Sequence, residues 1–469
     1  MKTTRLTVAA IVVLASTVLL HGQPVTKIAA GTGCSFIVRS DGSLWATGYN
    51  QYGEFGDGTY SNTNRFEQVV SNNVTAVAAG YYHTLFLKSD GSLWATGYNY
   101  DGELGDGNDN TFYPEGTNRP EKIVVSGVAA IAAGNVHSLF LMTNGSLWGM
   151  GKNDNGQLGN ASYYWQTNRP ALIVASNVTA IAAGFVHTLF LKNDGSLWAM
   201  GNNYYGQLGD GALGGGTLNS KTNQPEQIVS SNVTAIAAGA YHSLFIKSDG
   251  SLWGMGYNLN GQLGDGTSGS YDWTNSPEQI VTSNVIAIAG GCSSDHTLFI
   301  KRDGSLWGMG ENQYGELGDG IFSTTYPNGK NQPEQIVSSN VTAISAGSYH
   351  SLFLKNDGSL WGMGDNQNGQ LGDGTITVNY PYGTNLPEQI ITIPLGFNQI
   401  GCQLLSGGNV RLSFVGIASA NYALDRSSIL EPPNWLPQVT NQTDTNGVLV
   451  FTNKPDSNTN NFWRIRSVQ

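Results

Sequence analysis

The sequence predicts an all-β protein whose main part is a seven-bladed β-propeller. One stretch recurs along the chain, and its fullest copy, at 341–374, reads VTAISAGSYHSLFLKNDGSLWGMGDNQNGQLGDG. Each copy contains one tryptophan, and successive tryptophans lie 49 to 55 residues apart. A period of this length predicts a repeat architecture. Glycine, at 62 of 469 residues, and a charged fraction of 12% are typical of a turn-rich β protein. The seven tryptophans are Trp45, Trp94, Trp148, Trp198, Trp253, Trp307 and Trp361.

Each copy divides into four strand-like segments, which in the last copy are VTAISAG, HSLFLK, SLWGMG and PEQIITI. Asn-Asp-Gly between two apolar runs favours a tight hairpin, because glycine accepts a positive φ without steric cost. The consecutive apolar residues Leu352–Leu354 indicate a sheet covered on both faces. Ala-Ala-Gly runs such as Ala78–Gly80 let strands approach closely near a crowded axis, and the tryptophan fills the wider gap further out. Seven such four-stranded units predict a propeller.

The two ends of the repeat region predict how the ring closes. The first copy has no Pro-Glu-Gln strand ahead of it, and the last copy is followed by a surplus one at Pro387–Ile393. We expect this strand to pair into the first blade, so that the N- and C-terminal strands of the repeat region latch the ring. Such closure removes exposed sheet edges.

The repeat also carries a family resemblance. The pattern A-G-x-x-H-[ST]-L-F-L-K-x-D-G-S-L-W-x-x-G-x-N-x-x-G-[QE]-L-G-D-G recurs over about 25–393 and resembles the repeat of the regulator of chromosome condensation family. The resemblance implies a seven-bladed propeller with four strands per blade and a shared closing blade. The first copy departs from the pattern, with Cys34 where the other copies have histidine.

The N-terminus predicts export. Lys2 and Arg5 flank the start of an apolar run at Leu6–Leu20, and Gly22 offers a small residue for cleavage, so residues 1–22 are interpreted as a signal peptide. The run is shorter than the roughly 20 residues of a membrane span, and a retained N-terminal anchor is the alternative. We therefore expect an extracellular or cell-envelope location, with no transmembrane span in the mature chain.

The repeat stops at Ile393, which leaves 23–393 for the propeller and 394–469 for a small β-sandwich-like domain. Its apolar residues alternate, as at Val410, Leu412 and Phe414, and turn signals separate the segments. The ending NFWRIR resembles that of small C-terminal β-domains on exported bacterial proteins. This resemblance implies surface attachment, sorting or an accessory role.

Charge and cysteine content exclude several classes of function. The formal net charge is −11 with only 22 lysines and arginines, so the basic stripe of a nucleic-acid-binding protein is absent. Three cysteines do not make a disulfide framework or a ligand cluster. We expect a monomer that binds no nucleic acid.

Histidine occupies one equivalent position in six of the seven copies. A set of six suits a metal ion or acid–base chemistry, but one histidine per blade spreads them around a ring instead of gathering them on one ion. We expect each to be buried and hydrogen-bonded to neighbouring backbone, as a structural position like the tryptophan. No metal and no cofactor are expected. The six are His83, His137, His187, His242, His296 and His350.

Two sets of carboxylates also recur. The aspartate of each Gly-Asp-Gly, such as Asp373, is a possible calcium ligand, but no complete calcium loop is present and aspartate in turns usually bonds its own backbone two residues on. Glu54, Glu103 and Glu316 replace a glutamine of the other copies. Paired carboxylates cleave glycosides, yet nothing in the sequence pairs these three with each other or with a base. We expect no catalytic residues.

The candidate binding residues lie in the loops between Gly-Asp-Gly and Pro-Glu-Gln, because only what differs between repeats can carry specificity. These loops vary in length, should emerge on one face of the ring, and are rich in aromatic residues. Exposed tyrosine and tryptophan are favoured anchors for protein partners, and sugars also stack on such rings. The alternative is that the rings merely pack over blade edges. The candidates are Phe112, Tyr113, Tyr163, Tyr164, Trp165, Tyr271, Trp273, Tyr326, Tyr380 and Tyr382.

These observations favour an exported, non-enzymatic binding or scaffold protein that holds a protein or a glycan on its aromatic loops. Exported propellers of the resembled family that inhibit β-lactamases imply that such a ring can act purely by binding. Guanine-nucleotide exchange, the activity of the family's namesake, is the alternative, and a glycan-active hydrolase is the second. The acidic balance and the predicted export argue against a chromatin-bound partner.

Overall fold

The computed structural model describes residues 24–109, 115–161, 165–212, 221–391, 400–404, 410–415, 421–427, 436–442, 448–453 and 462–468. Every regular element within these ranges is a β-strand, and none of them contains a helix long and apolar enough to cross a membrane. Residues Pro24–Thr392 form one compact unit. Seven four-stranded antiparallel sheets make up this unit, which confirms the predicted seven-bladed propeller.

Each blade is built from four strands that are consecutive in the sequence. Blade 1 contains β1 (Val25–Ala30), β2 (Cys34–Arg39), β3 (Leu44–Gly48) and β4 (Thr63–Val70). Blade 2 contains β5 (Val74–Ala79), β6 (His83–Lys88), β7 (Leu93–Tyr98) and β8 (Gly116–Val124). Blade 3 contains β9 (Val128–Ala133), β10 (His137–Met142), β11 (Leu147–Lys152) and β12 (Gln166–Val174). Blade 4 contains β13 (Val178–Ala183), β14 (His187–Lys192), β15 (Leu197–Asn202) and β16 (Lys221–Val229).

The remaining blades repeat this order. Blade 5 contains β17 (Val233–Ala238), β18 (His242–Lys247), β19 (Leu252–Tyr257) and β20 (Trp273–Val281). Blade 6 contains β21 (Val285–Ala289), β22 (His296–Lys301), β23 (Leu306–Glu311) and β24 (Gly329–Val337). Blade 7 contains β25 (Val341–Ala346), β26 (His350–Lys355), β27 (Leu360–Asp365) and β28 (Gly383–Ile391). The first strand of each blade lines a central channel, whose cavity of about 270 Å³ is walled mainly by alanine and isoleucine.

The hairpin between the second and third strands explains the repeated Asp-Gly-Ser-Leu-Trp. In blade 5, Gly250 adopts φ +79° to close the turn, and Asp249 Oδ1 accepts hydrogen bonds from the backbone N–H of Ser251 and from its hydroxyl. Ser251 Oγ in turn accepts a 2.8 Å bond from Trp253 Nε1. The indole stacks on Phe245 with ring centres 6.1 Å apart, and Lys247 Nζ lies 3.8 Å from its centre. The motif therefore fixes a half-buried tryptophan against the neighbouring blade.

Backbone hydrogen bonds join neighbouring blades at the outer strands. In each blade, the residue that follows Gly-Asp (Gly-Asn in blade 3) donates its N–H to an asparagine carbonyl in the fourth strand of the next blade. Gly211 donates to Asn275 in this way at 2.8 Å. The same bond joins blade 7 to blade 1, from Gly374 to Asn64, also at 2.8 Å. The seven joints are therefore equivalent at the outer strands.

A second set of contacts joins the blades near the axis. The Nε2 of each histidine lies 2.9 to 3.0 Å from the hydroxyl of a serine or threonine in the next blade, for example His137 with Thr188. In five of these pairs that hydroxyl also donates to a backbone carbonyl, as Thr188 does to Gln157 at 2.8 Å. The histidines are buried as predicted, but their Nε2 partners are side-chain hydroxyls and not backbone groups.

Only the joint between blades 1 and 2 lacks this contact. Cys34 occupies the histidine position there, and the Oγ1 of Thr84 on the facing strand is buried with no hydrogen-bond partner among the described residues. The joint between blades 7 and 1 keeps it, because His350 Nε2 lies 2.9 Å from Ser35 Oγ.

The expected latch by an exchanged strand is wrong. Gly383–Ile391 pairs with β27 of its own blade, and blade 1 already has its own outer strand, Thr63–Val70. The loop after β27 turns back on itself, with Asn366 Nδ2 donating to Asp373 Oδ1 at 3.2 Å, and the chain returns to the strand it has just left. The ring is closed instead by packing and hydrogen bonds between blades 7 and 1, including Ala30 N–H to Ser345 Oγ at 2.9 Å.

The histidine joints allow a matched stability test. Thr188→Val removes a hydroxyl that bonds His137 and Gln157, leaves buried polar groups unpaired, and is expected to lower the free energy of unfolding by about 1–3 kcal/mol. Thr84→Val, the same change where the hydroxyl has no partner, is expected to alter it by less than about 0.5 kcal/mol. Urea denaturation of both variants measures the difference. Equal losses at the two positions would mean that the imidazole–hydroxyl contacts do not stabilise the ring.

Six further strands follow the propeller and form two three-stranded antiparallel sheets. They are β29 (Ile400–Leu404), β30 (Val410–Val415), β31 (Asn421–Ser427), β32 (Leu436–Gln442), β33 (Val448–Asn453) and β34 (Phe462–Val468). The sheet orders are β29-β30-β33 and β32-β31-β34. A sandwich arrangement of these sheets stays a prediction.

Candidate functional site

The propeller has two distinct faces, which follow from the strand order. In every blade the turn between the first and second strands and the loop between the third and fourth strands emerge on the same side, because successive strands are antiparallel. We call this side the loop face. The Asp-Gly hairpins and the short links between blades lie on the opposite side, the hairpin face.

Six of the ten predicted loop residues lie within the described part of the chain. Tyr271 is the most exposed, at 94%, and Trp165, Tyr326 and Tyr380 are exposed by half or slightly more. Trp273 and Tyr382 are half-buried. The remaining four, Phe112, Tyr113, Tyr163 and Tyr164, fall outside the described residues.

The structure brings only some of these residues together. Tyr380 and Tyr382 lie 5.6 Å apart between ring centres, and each lies 6.4 Å from Tyr314. The hydroxyl of Tyr326 contacts Ser270 in the preceding loop. Trp165 belongs to a different blade, and its carbonyl accepts a hydrogen bond from Asn153 N–H. The loop aromatics therefore do not form one cluster.

A larger aromatic surface, which was not predicted from the sequence, lies closer to the axis of the same face. We call it the tyrosine belt. In blades 1 and 2, the ring centre of Tyr52 lies 4.7 Å from that of Tyr82 and 5.2 Å from that of Tyr98, and Tyr49 lies 5.5 Å from Tyr82. Its members are Tyr49, Tyr52, Tyr81, Tyr82, Tyr98, Phe185, Tyr205, Tyr241, Tyr257, Tyr314 and Tyr349.

The belt continues through blades 4 and 5. Tyr205 lies 4.3 Å from Tyr257 and 5.3 Å from Tyr241, which stacks on Phe185 at 5.2 Å. Most rings of the belt are half-buried, and Tyr349 is 38% exposed. Half-buried tyrosines offer rigid area and a hydroxyl to a partner. The signal in the sequence was Gly-x-Tyr-His in copies 2, 5 and 7, where a tyrosine precedes the repeated histidine.

Side chains cross the axis at the level of this belt. Asn135 Nδ2 of blade 3 donates to Ser293 Oγ of blade 6 at 3.1 Å, and the rings of Tyr81 and Phe185 meet at 6.5 Å although their blades are not neighbours. The mouth of the channel on the loop face is therefore bridged by side chains, and the belt surrounds it.

The unmatched glutamates are buried parts of the loops. One oxygen of each accepts a backbone hydrogen bond two residues back: Glu54 from Tyr52 at 3.0 Å, and Glu316 from Tyr314 at 2.9 Å. Glu103 makes the same bond with Asp101. The glutamine of other copies uses its amide oxygen in this way, as Gln157 does with Asn155. Burial raises the pKa of Glu54 to about 8. The three carboxyls belong to blades 1, 2 and 6 and do not converge on one site.

The histidines and the turn aspartates also have local partners. Burial lowers the pKa of each histidine, to about 4 for His83 and to about 3 for His137, so the imidazoles are neutral at neutral pH. Asp57 Oδ1 accepts the N–H of Thr59 at 2.8 Å, two residues on, as the turn chemistry predicts. No group of three or more His, Cys, Asp or Glu among the described residues is placed to hold a metal ion.

Comparison with protein families identifies the repeat. Residues 63–402 match the model of the RCC1-like domain, and residues 25–54 match the regulator of chromosome condensation (RCC1) repeat.

Among curated proteins, the chain is 33% identical to Protein RCC2 of Homo sapiens over 135 residues, which are 28% of this chain and 25% of that protein. It is 30% identical over 193 residues to the probable E3 ubiquitin-protein ligase HERC4 of Homo sapiens, covering 38% of this chain and 18% of the relative. The chain therefore spans a quarter or less of the length of these two relatives.

Among solved structures, Prp20p of Saccharomyces cerevisiae, described with its binding to Gsp1p and histones, superposes with a TM-score of 0.64. The match has 22% sequence identity and covers 81% of this chain and 90% of that one. At this identity the likeness shows a common fold.

Proposed function

Because the chain belongs to the RCC1-like domain family, we propose that its propeller is a binding module that holds a protein partner on the loop face. The observation that carries this proposal is the tyrosine belt, in which half-buried rings from at least five blades surround the bridged mouth of the channel. Such rings bring contact area at low cost in side-chain entropy, because they are already held in place by one another.

The position of the belt also supports this function. It lies on the same face as the variable loops, where Trp165, Tyr271 and Tyr380 add exposed rings at larger radius. A partner seated on the belt would therefore meet residues that differ from blade to blade. Catalysis has less support, because the three unmatched glutamates are spread over blades 1, 2 and 6 and each is engaged with its own loop. The fold shared with Prp20p does not extend that protein's partners to this chain.

The test compares three versions of the full chain as baits. Replacement of Tyr81, Tyr241 and Tyr349 by serine strips the belt, and replacement of exposed Val125 by serine with Asn193 by alanine alters the hairpin face. Proteins captured by the wild type are expected to be retained by the hairpin-face variant and lost by the belt variant. Capture that survives loss of the belt would contradict the proposal.

The source of the captured material follows from the predicted signal peptide. Export through residues 1–22 stays a prediction, so extracellular and envelope fractions are tested beside a cytosolic one. The same three baits on a glycan array separate a glycan ligand from a protein partner. Array binding that depends on the belt, without any captured protein, would replace the protein partner by a glycan.

A further inference from the structure

One corner of the loop face, formed by blades 6 and 7, carries carboxyl groups without a cation. The four residues are Asp295, Glu311, Glu316 and Asp365, and we call them the acidic corner. No described lysine or arginine forms an ion pair with any of them, since the ion pairs of the described residues involve Lys152 and Lys330 and other carboxylates. Such a concentration of unpaired carboxyls is costly in a half-buried place.

Glu316 leaves one buried oxygen of the corner without a hydrogen-bond donor among the described residues. Its side chain is fully buried, one oxygen accepts the N–H of Tyr314, and Oε1 has no hydrogen-bond partner among the described residues. The glutamines at the equivalent position show where this atom points. Gln370 Nε2 donates to Asp365 at 2.8 Å, and Gln207 Nε2 donates to Asn202 at 2.9 Å, in each case to the residue five positions earlier.

Glu311 likewise lies five positions before Glu316. The unpartnered oxygen is therefore aimed at a second carboxyl, where other blades place a hydrogen-bonding pair. Asp295 and Asp365 lie close enough to act electrostatically on Glu311 and Glu316 respectively, and both raise the negative charge of the corner.

Another blade of this protein shows what such a corner accepts. Lys152 stands five residues before Gln157, as Glu311 stands before Glu316, and its ammonium lies 3.7 Å from Asp101 in the loop of the preceding blade. In blade 4 the equivalent Asn202 also reaches back, donating to Asn155 at 3.0 Å. The position thus carries a cation in blade 3, where it pairs with blade 2, and a carboxyl in blades 6 and 7.

Aromatic rings surround the acidic corner. Tyr314 and Tyr349 lie 5.0 Å apart with their planes at 65°, and Tyr380, which is 50% exposed, lies 6.4 Å from Tyr314. The faces of such rings attract ammonium and guanidinium groups. A metal ion suits the place less well, because no three acidic, histidine or cysteine side chains of the described residues are placed around one point.

We propose that the acidic corner receives a lysine or arginine side chain of the protein partner, with Tyr314 and Tyr349 flanking the cation. This inference rests on the proposed function, since it gives the chemistry of that same partner. Exposed Ile321, Ile376 and Val378 on the neighbouring loops suit apolar residues beside the basic one. The partner segment is therefore basic and partly apolar.

The pH dependence of binding follows from the protonation of the four carboxyls in the acidic corner. Burial raises the pKa of Asp295 and of Asp365 to about 6, and burial together with Asp295 raises that of Glu311. Glu316 is raised by burial and by Glu311, and the facing Tyr314 and Tyr349 also have raised pKa values. A bound cation requires ionised carboxyls, so binding should release protons and tighten as the pH rises from 6 to 8.

The test uses the full chain and a fluorescein-labelled hexa-arginine peptide followed by anisotropy. Glu311→Lys supplies the cation from within, as Lys152 does in blade 3, and is expected to weaken peptide binding by at least about tenfold. Glu278→Lys makes the same charge change at an exposed place on the outer strand of blade 5, and is expected to leave binding within about twofold. Absence of binding to the wild type, or equal losses in both variants, would overturn the proposal.

A second variant tests the proposal if Glu311→Lys does not fold. Asp365→Asn keeps a hydrogen-bond acceptor for Gln370 and removes one charge, so a loss of about threefold is expected. Unchanged binding in this variant would count against the corner. Calcium that displaces the peptide from the wild type at micromolar concentration would assign the corner to a metal ion instead. If belt-dependent capture succeeds while the peptide fails to bind, the proposed function stands and only this inference falls.

Discussion

Acidification below about pH 4.5 is expected to unfold the propeller, because its six buried histidines are held neutral. Burial lowers their pKa values from 6.5 to about 3 or 4. Between these values the unfolded chain binds more protons than the folded one, so the free energy of unfolding falls as the pH falls.

Buried carboxyls act in the opposite direction over part of this range. Glu54, with its pKa raised from 4.5 to about 8, stays protonated in the fold while the unfolded chain ionises, so it favours the fold as the pH falls towards 4.5. The histidines and the raised carboxyls therefore have opposite effects on the free energy of unfolding between about pH 4.5 and 6.5. Below that range the raised carboxyls no longer offset the histidines.

Far-ultraviolet circular dichroism and tryptophan fluorescence across a pH titration measure this transition. A steep loss of structure is expected below about pH 4.5, with a net uptake of protons to which each histidine contributes at most one. His242→Gln keeps a polar group at one position and should reduce the uptake by about one proton. A fold that persists at pH 3, or a transition unaffected by the histidine change, would contradict the expectation.

Phe245→Ala is expected to lower the free energy of unfolding by about 3–5 kcal/mol, the usual cost of a large cavity in a packed core. Phe245 is fully buried, stacks on Trp253 and packs against Leu189 and Leu197 of the preceding blade. The substitution therefore opens an interface between two blades and not only one sheet. Urea denaturation with an unchanged slope measures the loss.

Two companion variants calibrate this result. Trp253→Ala removes a half-buried ring from the same stack and is expected to cost less, about 2–3 kcal/mol. Leu386→Ala removes a side chain that is 57% exposed and should cost less than about 0.5 kcal/mol. A Phe245→Ala variant no less stable than Leu386→Ala would mean that the blades are not held together by these rings.

The blade count followed from the sequence because each tryptophan repeats with its own hairpin. The Asp-Gly turn, the serine and the indole form one local hydrogen-bonded unit, so their spacing predicts the structure directly. The prediction of strand exchange at the ring closure was wrong. The sequence period is the same whether the Pro-Glu-Gln strand is assigned to the blade before it or to the blade after it. The pairing of Gly383–Ile391 with Leu360–Asp365 decides between them, and a strand pairing is visible only in three dimensions.

The loop residues stay a prediction for binding, and the tyrosine belt, which the sequence did not indicate, lies on the same face nearer the axis. The predicted loop residues lie where the copies differ, whereas Tyr82, Tyr241 and Tyr349 lie inside the repeated pattern, each directly before the histidine found in six of the copies. Their contacts join different blades, as between Tyr52 and Tyr82, and residues about 30 positions apart give no local signal of contact. The acidic corner was hidden for the same reason, since its four carboxyls come from blades 6 and 7 and are spread over about 70 positions of the sequence.

The absence of a histidine contact between blades 1 and 2 affects where a circular permutant of this chain can be opened. Six of the seven joints are crossed by the polypeptide itself, whereas blades 7 and 1 meet without a covalent link, and that joint keeps His350 and Ser35 in contact. Val25 and Ile391 pack in one apolar cluster, so a short linker can connect the two ends of the propeller. A new chain break between Val70 and Val74 would then remove the covalent link between blades 1 and 2, where Cys34 faces Thr84. In the existing order of blades, that joint keeps its covalent link.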